Sequence, residues 1–374
     1  MNNPRLYLDH NASSPLRPEA HDAMLTALQL PGNASSVHGE GRAARRLIED
    51  AREQVAALVG CTGAEVVFTS GATEANCAAL GNGWATIHRA GIEHESVLAP
   101  ARQSGATLID LPVNGDGLVD WSRLGTAEPP AGKALLSLQM ANNETGVCQD
   151  VAGAAAAARA QGMAVHTDAV QACGRFAVDF AALDVDLMSV SSHKLGGPMG
   201  IGALIVRDGF QQAALIAGGG QERRRRAGTE NVAAIAGFGA AATAAAACLD
   251  AEAQRLGRMR DHLQAALAAL VPDAVIVGAD APRLANTLCL ALPCERAETT
   301  VIKLDLAGVA VSAGSACSSG KVGESHVLAA MGLPADIARS AVRISLGWNT
   351  TETSLEQFLT RSERLFAPPK RAVA

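Results

Sequence analysis

Residues 187–198 read LMSVSSHKLGGP, in which an apolar run of strand length is followed directly by small residues and one lysine, Lys194. A lysine at the end of a buried strand, among Ser, Gly and Pro, can be held in a partly dry pocket where its ammonium loses a proton readily and becomes a nucleophile. The alternative is a solvated lysine in a surface loop, because lysine is seldom buried unpaired. The segment therefore predicts a buried strand that carries a candidate reactive amine.

The rest of the chain alternates similar apolar runs with helical patterns. Besides 187–190, predicted buried strands lie at 65–69, 134–138, 164–167 and 201–206, and predicted helices lie at 42–58 and 152–160. Strands that are apolar on both faces and separated by helices are typical of a parallel sheet covered on both sides. We therefore predict an α/β fold with a mostly parallel central sheet and helices on both faces.

The pattern changes near residue 255. A helix to 270, a strand at 286–292, a helix after 296 and a final amphipathic helix at 354–366 indicate a smaller α+β domain. The predicted division is an N-terminal segment (1–15) that joins the small domain, a large domain (16–255) and a small C-terminal domain (256–374).

Composition excludes several classes of protein. The 374 residues carry a net charge of −6, which argues against a dedicated nucleic-acid binder. Eight cysteines without a CxxC pair, and an N-terminus without a signal-peptide pattern, favour a reducing, cytoplasmic location. Residues 231–249 are uncharged but rich in alanine, so we expect a helix packed on the sheet rather than in a membrane. Nucleotide-binding GxxxxGK[ST], dinucleotide-binding GxGxxG and zinc-binding HExxH motifs are absent.

Residues 70–75 read SGATEA and lie between a predicted strand and a helical stretch. The first backbone N–H groups of a helix have no partner within the helix, so this turn is a candidate phosphate site to which Thr73 adds a hydroxyl. Ordinary helix capping by Ser70 or Thr73 is the alternative.

Residues 166–171, HTDAVQ, place Asp168 at the carboxyl end of another strand, where ligands of open α/β sheets bind. An acid there can hold a protonated ring nitrogen, or it can cap the next helix. A phosphate site, an acid and a reactive lysine at strand ends are together what pyridoxal phosphate requires.

These segments, with MANNETGV (140–147), RAGTENV (226–232) and GSACSS (314–319), resemble the cysteine desulfurases of the NifS/IscS group, which are class V aminotransferase-like enzymes of PLP fold type I. The similarity extends from YLDHNA (7–12) to RISLG (343–347). It implies a pyridoxal phosphate enzyme that converts L-cysteine to L-alanine and passes the sulfur to an acceptor protein such as an iron–sulfur scaffold. It also implies a homodimer with active sites at the interface.

The resemblance implies a role for each matching residue. Lys194 resembles the lysine that binds the cofactor as a Schiff base, and Asp168 resembles the partner of the pyridine nitrogen. The other implied cofactor ligands are His94 stacked on the ring, Gln171 at the phenolic oxygen, Ala72, Thr73, Ser191 and His193 at the phosphate, Asn143, and Thr229 at the phosphate of the other subunit. Arg343 and Asn143, with Asn33 nearby, resemble the groups that hold the substrate carboxylate. For Arg343 a structural ion pair is the alternative, and for His94 a buried structural histidine.

Cys317 decides the reaction that the resemblance implies. It lies among small residues that offer little packing, so we expect an exposed, mobile thiol. In the implied mechanism Lys194 takes the Cα proton, His94 carries protons to thiol groups, and Cys317 attacks the substrate sulfur to become a persulfide. Cys317 is also an implied candidate ligand of an iron–sulfur cluster shared with a partner. The other seven cysteines are expected to be inert packing residues.

Three features depart from the family pattern. Ser192 stands where glycine is usual, Met199 stands where lysine is frequent, and residues 223–226 form an arginine run. The run either forms a solvated surface or attracts an anionic substrate or partner. The alternatives for function are a selenocysteine lyase, a cystine or cysteine-sulfinate lyase on the same scaffold, or a catalytically silent protein of an iron–sulfur assembly complex.

Overall fold

The computed structural model describes residues 5–125, 132–214, 216–293, 295–314 and 324–366. Its strands are β1 (Leu6–Tyr7), β2 (Val66–Thr69), β3 (Thr86–Ala90), β4 (Thr107–Leu111), β5 (Ala134–Ser137), β6 (Ala164–Asp168), β7 (Leu187–Ser191), β8 (Gly202–Val206), β9 (Val275–Ile276), β10 (Thr287–Ala291), β11 (Val309–Ala310), β12 (Ser312–Ala313) and β13 (Ala341–Ser345). Its α-helices are α1 (Pro18–Leu28), α2 (Gly39–Val59), α3 (Ala72–Leu80), α4 (Glu95–Gln103), α5 (Val151–Ala160), α6 (Phe180–Leu183), α7 (Val232–Ala247), α8 (Leu249–Leu270), α9 (Ala297–Leu306), α10 (His326–Ala330), α11 (Ala335–Ser340) and α12 (Glu352–Phe366).

A seven-stranded sheet forms the centre of the fold, in the order β2-β8-β7-β6-β5-β3-β4. The pairs from β7 to β4 are parallel, and β8 runs antiparallel to both of its neighbours. Strands β5, β7 and β8 are buried along their whole length, as expected for a sheet covered on both faces. The predicted α/β fold with a mostly parallel sheet is therefore confirmed.

The five strands predicted from apolar runs are all present, with ends that shift by at most one residue. Strands β3 and β4 were not predicted, because TIHRA and TLIDL mix polar and apolar residues and β4 is an edge strand with an exposed face. Helix α2 matches its prediction. His38 caps its N-terminus by accepting from Gly41 N, and Gly60 ends it in the left-handed conformation with a φ of 66°.

A second hydrophobic core lies beside a four-stranded sheet of order β12-β13-β10-β9. It is built from helices α8, α9 and α12 and these strands, and it also takes Leu6 and Leu8 from the N-terminal segment. Strand β1 pairs with β11 next to this core. The helix, strand and helix predicted after residue 255 are present, while the boundaries drawn at residues 15 and 255 stay a prediction.

Helix α7 covers one face of the central sheet. Phe238 on this helix packs edge to face against Phe68 of β2, with 6.2 Å between ring centroids, and the alanines of α7 pack on α1 and α2. Small side chains let these helices approach closely, as the composition of 231–249 predicts. In the described part of the chain no single helix is long and apolar enough to cross a membrane, and α7 meets that test only together with α8, from which it is bent by 71°.

A buried ion pair holds the loop before α7 against the sheet. Arg52 donates to both carboxylate oxygens of Glu222, at 2.7 and 2.8 Å, and Phe68 N donates to the same carboxylate at 2.8 Å. The loop reaches this position through three successive residues with positive φ: Glu222 (44°), Arg223 (55°) and Arg224 (65°). Each is a non-glycine residue in the left-handed region, which costs about 1–2 kcal/mol per residue.

Replacing Arg224 by glycine should stabilise the protein. Arg224 is exposed, and glycine adopts its left-handed conformation without the Cβ penalty, so we expect the free energy of unfolding to rise by about 1 kcal/mol. Urea unfolding followed by circular dichroism measures this change. The matched control is Arg46→Gly on the exposed side of α2, which should lower the free energy of unfolding by about 1 kcal/mol. A loss of stability in both variants would contradict the assignment of strain to residue 224.

Candidate active site

A cavity of about 540 Å³ lies at the carboxyl ends of the parallel strands of the central sheet. This is the edge at which open α/β sheets bind ligands, because the loops after several strands converge there. Most of the predicted site residues line the cavity, namely Ala72, Thr73, His94, Asn143, Asp168, Gln171, Ser191, His193, Lys194 and Arg343. The volume is within the range of small-molecule and cofactor sites.

The N-terminus of α3 forms one end of the cavity. Gly71 is the N-cap residue, and no side chain caps this helix, so capping by Ser70 or Thr73 is wrong as the explanation of SGATEA. The first N–H groups of α3, at Ala72 and Thr73, therefore remain available to a ligand, and the positive end of the helix dipole favours an anion. Ser191 and His193 line the same cavity.

Asp168 ends β6 and lies 7% exposed on the cavity wall. Asn76 Nδ2 donates to its Oδ2 at 2.8 Å, and Val170 N donates to its Oδ1 at 3.0 Å. Asp168 thus accepts from the turn that follows it and lines the cavity at the same time. The helix-cap interpretation is wrong, because the next helix, α6, begins only at Phe180 and is capped by Asp179. The role of Asp168 at a ring nitrogen stays a prediction. The two hydrogen bonds fix the orientation of the carboxylate in the cavity wall.

Lys194 follows β7 and extends into the cavity, partly buried. Its Nζ donates to the carbonyl oxygens of Asn11 at 2.7 Å and Ala12 at 2.8 Å. The alternative interpretation, a solvated lysine in a surface loop, is therefore wrong. The amine lies on the wall of the same cavity as Asp168. Ser192, the departure from the family pattern, is fully buried and leaves the position of the lysine intact.

His94 ends the loop after β3 and caps α4. Ser96 N donates to its Nδ1 at 3.1 Å, so the neutral ring carries its proton on Nε2. Ser96 Oγ lies 2.7 Å from the same Nδ1 and accepts from Asn76 at 2.9 Å, which links His94 to the residue that orients Asp168. Burial lowers the pKa of His94, the charges of Lys194 and His326 lower it further, and Asp168 opposes them. His94 is therefore a neutral ring in the cavity wall at pH 7, rather than a histidine buried in a core.

Arg343, on β13, closes the cavity from the side of the second core and is only 1% exposed. Its Nη2 donates to Asp9 Oδ1 at 2.7 Å and its Nη1 to the carbonyl oxygen of Asn143 at 2.9 Å. The structural ion pair considered for Arg343 is thus present. Its Nε is buried and finds no hydrogen-bond partner among the described residues, and Arg343 lines the cavity, where its positive charge favours an anion.

Two predicted residues do not line the cavity of a single chain. Asn33 is exposed between α1 and α2, where its side chain accepts from Ser35 N at 2.8 Å. Thr229 is exposed in the loop before α7. Cys317 lies outside the described residues, and among those described no group of three or more His, Cys, Asp or Glu side chains could hold a metal ion.

The arginine run is only partly a solvated face. Arg226 pairs with Glu74 of α3 at 2.9 Å, and Arg223 donates to the carbonyl oxygens of Gly63 and Ala64. Arg223 and Arg224 are exposed. Met199 is 72% exposed at the mouth of the cavity.

Sequence analysis missed the residues that support the site. Asn76 orients Asp168, and the only sequence signal for it was a lone amide in the alanine-rich helical stretch that continues SGATEA. Asn11 and Ala12 belong to the YLDHNA motif, but only the fold shows that their carbonyl groups contact Lys194. No local pattern predicts such a contact, because 182 and 183 residues separate the partners.

The residues present fit pyridoxal phosphate. An uncapped helix N-terminus suits the phosphate, a carboxylate held by two hydrogen bonds suits the ring nitrogen, and an amine in the same cavity suits the aldehyde. Arg343 lines the same cavity and adds a positive charge that suits the carboxylate of an amino acid substrate.

Comparisons with known proteins show the family to which the chain is similar. The Aminotransferase class-V family matches residues 6–358. A cysteine desulfurase of Cereibacter sphaeroides is 42% identical over 367 residues, covering 95% of this chain and 94% of that protein. The cysteine desulfurase IscS of Dictyoglomus turgidum is 38% identical over 371 residues, covering 96% and 94%. The solved structure of a NifS-like protein from Rickettsia africae matches with a TM-score of 0.90 at 35% identity and covers 97% of this chain and 99% of that one.

Glu144 makes stability depend on pH. Burial raises its pKa from 4.5 to about 7, although a hydrogen bond from Ser325 and the charge of Arg343 act in the opposite direction. The folded protein therefore holds a proton that the unfolded chain releases, and the free energy of unfolding falls as the pH rises from 4.5 to 7. In Glu144→Gln this fall should be smaller by about 3 kcal/mol, as measured by urea unfolding at a series of pH values.

The control for this experiment is Glu363→Gln, at an exposed position of α12, which should leave the pH dependence of the wild type unchanged. If Glu144→Gln and the wild type lose the same free energy of unfolding between pH 4.5 and 7, Glu144 is not protonated in the folded state.

Proposed function

The chain belongs to the class-V aminotransferase family and is a pyridoxal phosphate-dependent cysteine desulfurase, and we propose that the residues of its cavity release sulfur from L-cysteine and deliver it to Cys317. The observation that carries this proposal is the convergence of Lys194, Asp168, the N-terminus of α3 and Arg343 on one cavity. The products are L-alanine and a persulfide on Cys317, from which the sulfur passes to an acceptor protein.

We propose that the cavity binds the cofactor at five places: the phosphate, the ring nitrogen, the aldehyde, the phenolic oxygen and the face of the ring. The N–H groups of Ala72 and Thr73, with Ser191 and His193, hold the phosphate, and Asp168 holds the ring nitrogen. Further ligands are Lys194 at the aldehyde, Gln171 at the phenolic oxygen, and His94 and Asn143 beside the ring. The support is that each of these residues lines the same cavity.

The substrate carboxylate is proposed to bind Arg343, with Asn143 beside it. Arginine suits this task because its planar fork meets a carboxylate with two parallel hydrogen bonds. Asp9 and the carbonyl oxygen of Asn143 hold the guanidinium in place before the substrate arrives, so little orientational freedom is lost on binding. Asn33, which is remote from the cavity in one chain, remains the least supported residue of this group.

The bound cofactor supplies an electron-withdrawing ring that stabilises negative charge at the substrate Cα and so weakens the Cβ–S bond. Lys194 takes the Cα proton at Nζ, where the Asn11 and Ala12 carbonyl groups accept hydrogen bonds from the resulting ammonium. His94 donates from Nε2 and is the proposed proton carrier between thiol groups.

Sulfur transfer is a displacement at the substrate sulfur. The Cys317 thiolate forms an S–S bond to this sulfur, the Cβ–S bond breaks, and its electron pair passes to Cβ, which is then protonated to give the methyl group of alanine. No external oxidant is needed. Each of the two sulfur atoms is oxidised by one electron when the S–S bond forms, and Cβ is reduced by two electrons. The iron–sulfur ligand role of Cys317 remains part of this proposal, with a partner protein as the source of the cluster.

We also propose that two copies of the chain form the active unit. Thr229 is exposed and does not line the cavity of its own chain, which leaves it accessible to a second copy. Apolar side chains are exposed on α1 and in the loop that follows it, with Leu28 67% and Val37 88% exposed, and burial of these residues would favour association.

A reducing compartment, the cytoplasm, is the proposed location. The six described cysteines are all free thiols, and a reducing compartment would keep Cys317 as the thiol that accepts sulfur.

Cys317→Ser tests the sulfur route. Because serine cannot accept sulfur, alanine formation from L-cysteine should fall by a factor of about 10³ or more, while the absorbance of the bound cofactor is kept. Intact-protein mass spectrometry after brief exposure to L-cysteine should show one added sulfur in the wild type and none in the variant. The matched control is Cys248→Ser, which should keep both alanine formation and the added sulfur. Undiminished alanine formation by Cys317→Ser would reject the persulfide route.

Mixed dimers test the role of Thr229. A Lys194→Ala chain and a Thr229→Val chain, co-expressed with different affinity tags, form a dimer in which one site combines an intact Lys194 with the intact Thr229 of the other chain. This site should release cofactor on dialysis at the wild-type rate, whereas the Thr229→Val homodimer should release it about tenfold faster. If Thr229 acts within its own chain, each site of the mixed dimer lacks either Lys194 or Thr229, and both sites will release the cofactor quickly.

A further inference from the structure

Arg175 lies directly behind Gln171 on the cavity wall and belongs to none of the motifs that predicted the site. Its Nη1 donates to the carbonyl oxygen of Gln171 at 3.2 Å and to the side-chain Oε1 of the same residue. Its Nη2 donates to the carbonyl oxygen of His10 at 3.4 Å. The guanidinium thus connects the segment after β6 to the N-terminal segment.

The contact with Arg175 determines which way the Gln171 carboxamide faces. Arginine has no acceptor, so the atom that receives its N–H must be the carbonyl oxygen Oε1. The NH2 group is then on the other side, where Nε2 donates to the carbonyl oxygen of Asn11 at 3.0 Å. An amide nitrogen carries two N–H groups, so the second one remains for a ligand in the cavity that Gln171 lines.

The charge of Arg175 is not balanced by a nearby carboxylate. Among the described residues none of the ion pairs involves Arg175, and the acceptors that it contacts are all neutral. Burial lowers its pKa to about 9, and the positive charge of Arg343 acts in the same direction. A desolvated cation without a carboxylate partner is costly unless an anion lies within reach. The cavity is the place where such an anion can bind.

We propose that Arg175 is a positioning residue that holds the Gln171 carboxamide with an N–H toward the phenolic oxygen of the cofactor and stabilises negative charge on that oxygen. This inference rests on the proposed function, because it takes pyridoxal phosphate as the ligand of Gln171. Without Arg175 only the contact of Nε2 with the Asn11 carbonyl oxygen opposes a rotation of the carboxamide by 180°, which would turn a carbonyl oxygen toward the phenolic oxygen and repel it.

Arg175→Met removes the charge and the donor fork while keeping an unbranched side chain of similar reach. A hydrogen bond and a positive charge at the phenolic oxygen both oppose the uptake of a proton by the bound cofactor. We therefore expect the midpoint of the pH titration of the cofactor's visible absorbance to rise by about one pH unit. The affinity of the apo protein for pyridoxal phosphate, followed by fluorescence, should fall about tenfold.

Two further variants separate positioning from general structure. Gln171→Ala should raise the titration midpoint by a similar amount, and Arg175→Met should have little further effect in that background, because both changes remove the same hydrogen bond. Arg175→Lys keeps the charge but not the planar fork, so it should restore part of the shift. Arg258→Met, at an exposed position of α8, is the matched control and should keep the wild-type midpoint and affinity.

An unchanged midpoint and affinity in a folded Arg175→Met protein would overturn the inference. If that variant fails to fold, the same decision rests on Gln171→Ala and Arg175→Lys, and wild-type titration curves for both would overturn it. A wild-type protein that gives no visible absorbance with pyridoxal phosphate would instead refute the proposed function. The failures of the two proposals are therefore distinguishable.

Discussion

The ammonium of Lys194 is held by the backbone carbonyl groups of Asn11 and Ala12, and the geometry of the site depends on this contact. The N-terminal segment that supplies these groups is fixed by other parts of the fold. Leu8 belongs to the second core, and Asn11 Nδ2 donates to Thr287 of β10 at 2.9 Å. The reactive amine is therefore positioned only when both cores and the segment between them have folded. A change in either core can disturb the cavity without touching a residue that lines it.

Buried charge is the second constraint on the cavity. Asp168 and Arg343 are buried and Arg175 is half-buried, and each is held by polar contacts that set its orientation. Electrostatic interactions are stronger there than in water, so these groups act on a ligand with more force than surface residues could. The same desolvation costs free energy of unfolding, as the raised pKa of Glu144 shows. Stability is thus reduced at the place where chemistry needs oriented charge.

Burial makes three of the other cysteines poor competitors for the sulfur that we propose Cys317 accepts. Burial raises the pKa of Cys173 and Cys289 to about 12, and it raises that of Cys148 to about 11. Thiols with such values are almost entirely protonated at pH 7 and are poor nucleophiles. Cys289 is an instructive case, because it pairs with Arg343 across strands β10 and β13 and yet lies fully buried in the core. A cysteine close to Arg343 is therefore not enough to accept sulfur, because its thiol must also be accessible and able to ionise.

The sequence alone determined the α/β class, five of the seven strands of the central sheet and ten of the 23 residues that line the cavity, because apolar runs, helix caps and motifs at strand ends are local signals. It did not determine how the segments meet. The helix-capping explanation of SGATEA was excluded only by the free N-terminus of α3, and the contact of Lys194 with Asn11 joins residues 183 apart in the chain. The role of Arg175 likewise emerged only when its side chain was seen behind Gln171. Such contacts depend on packing between distant elements, so the tertiary structure decides them.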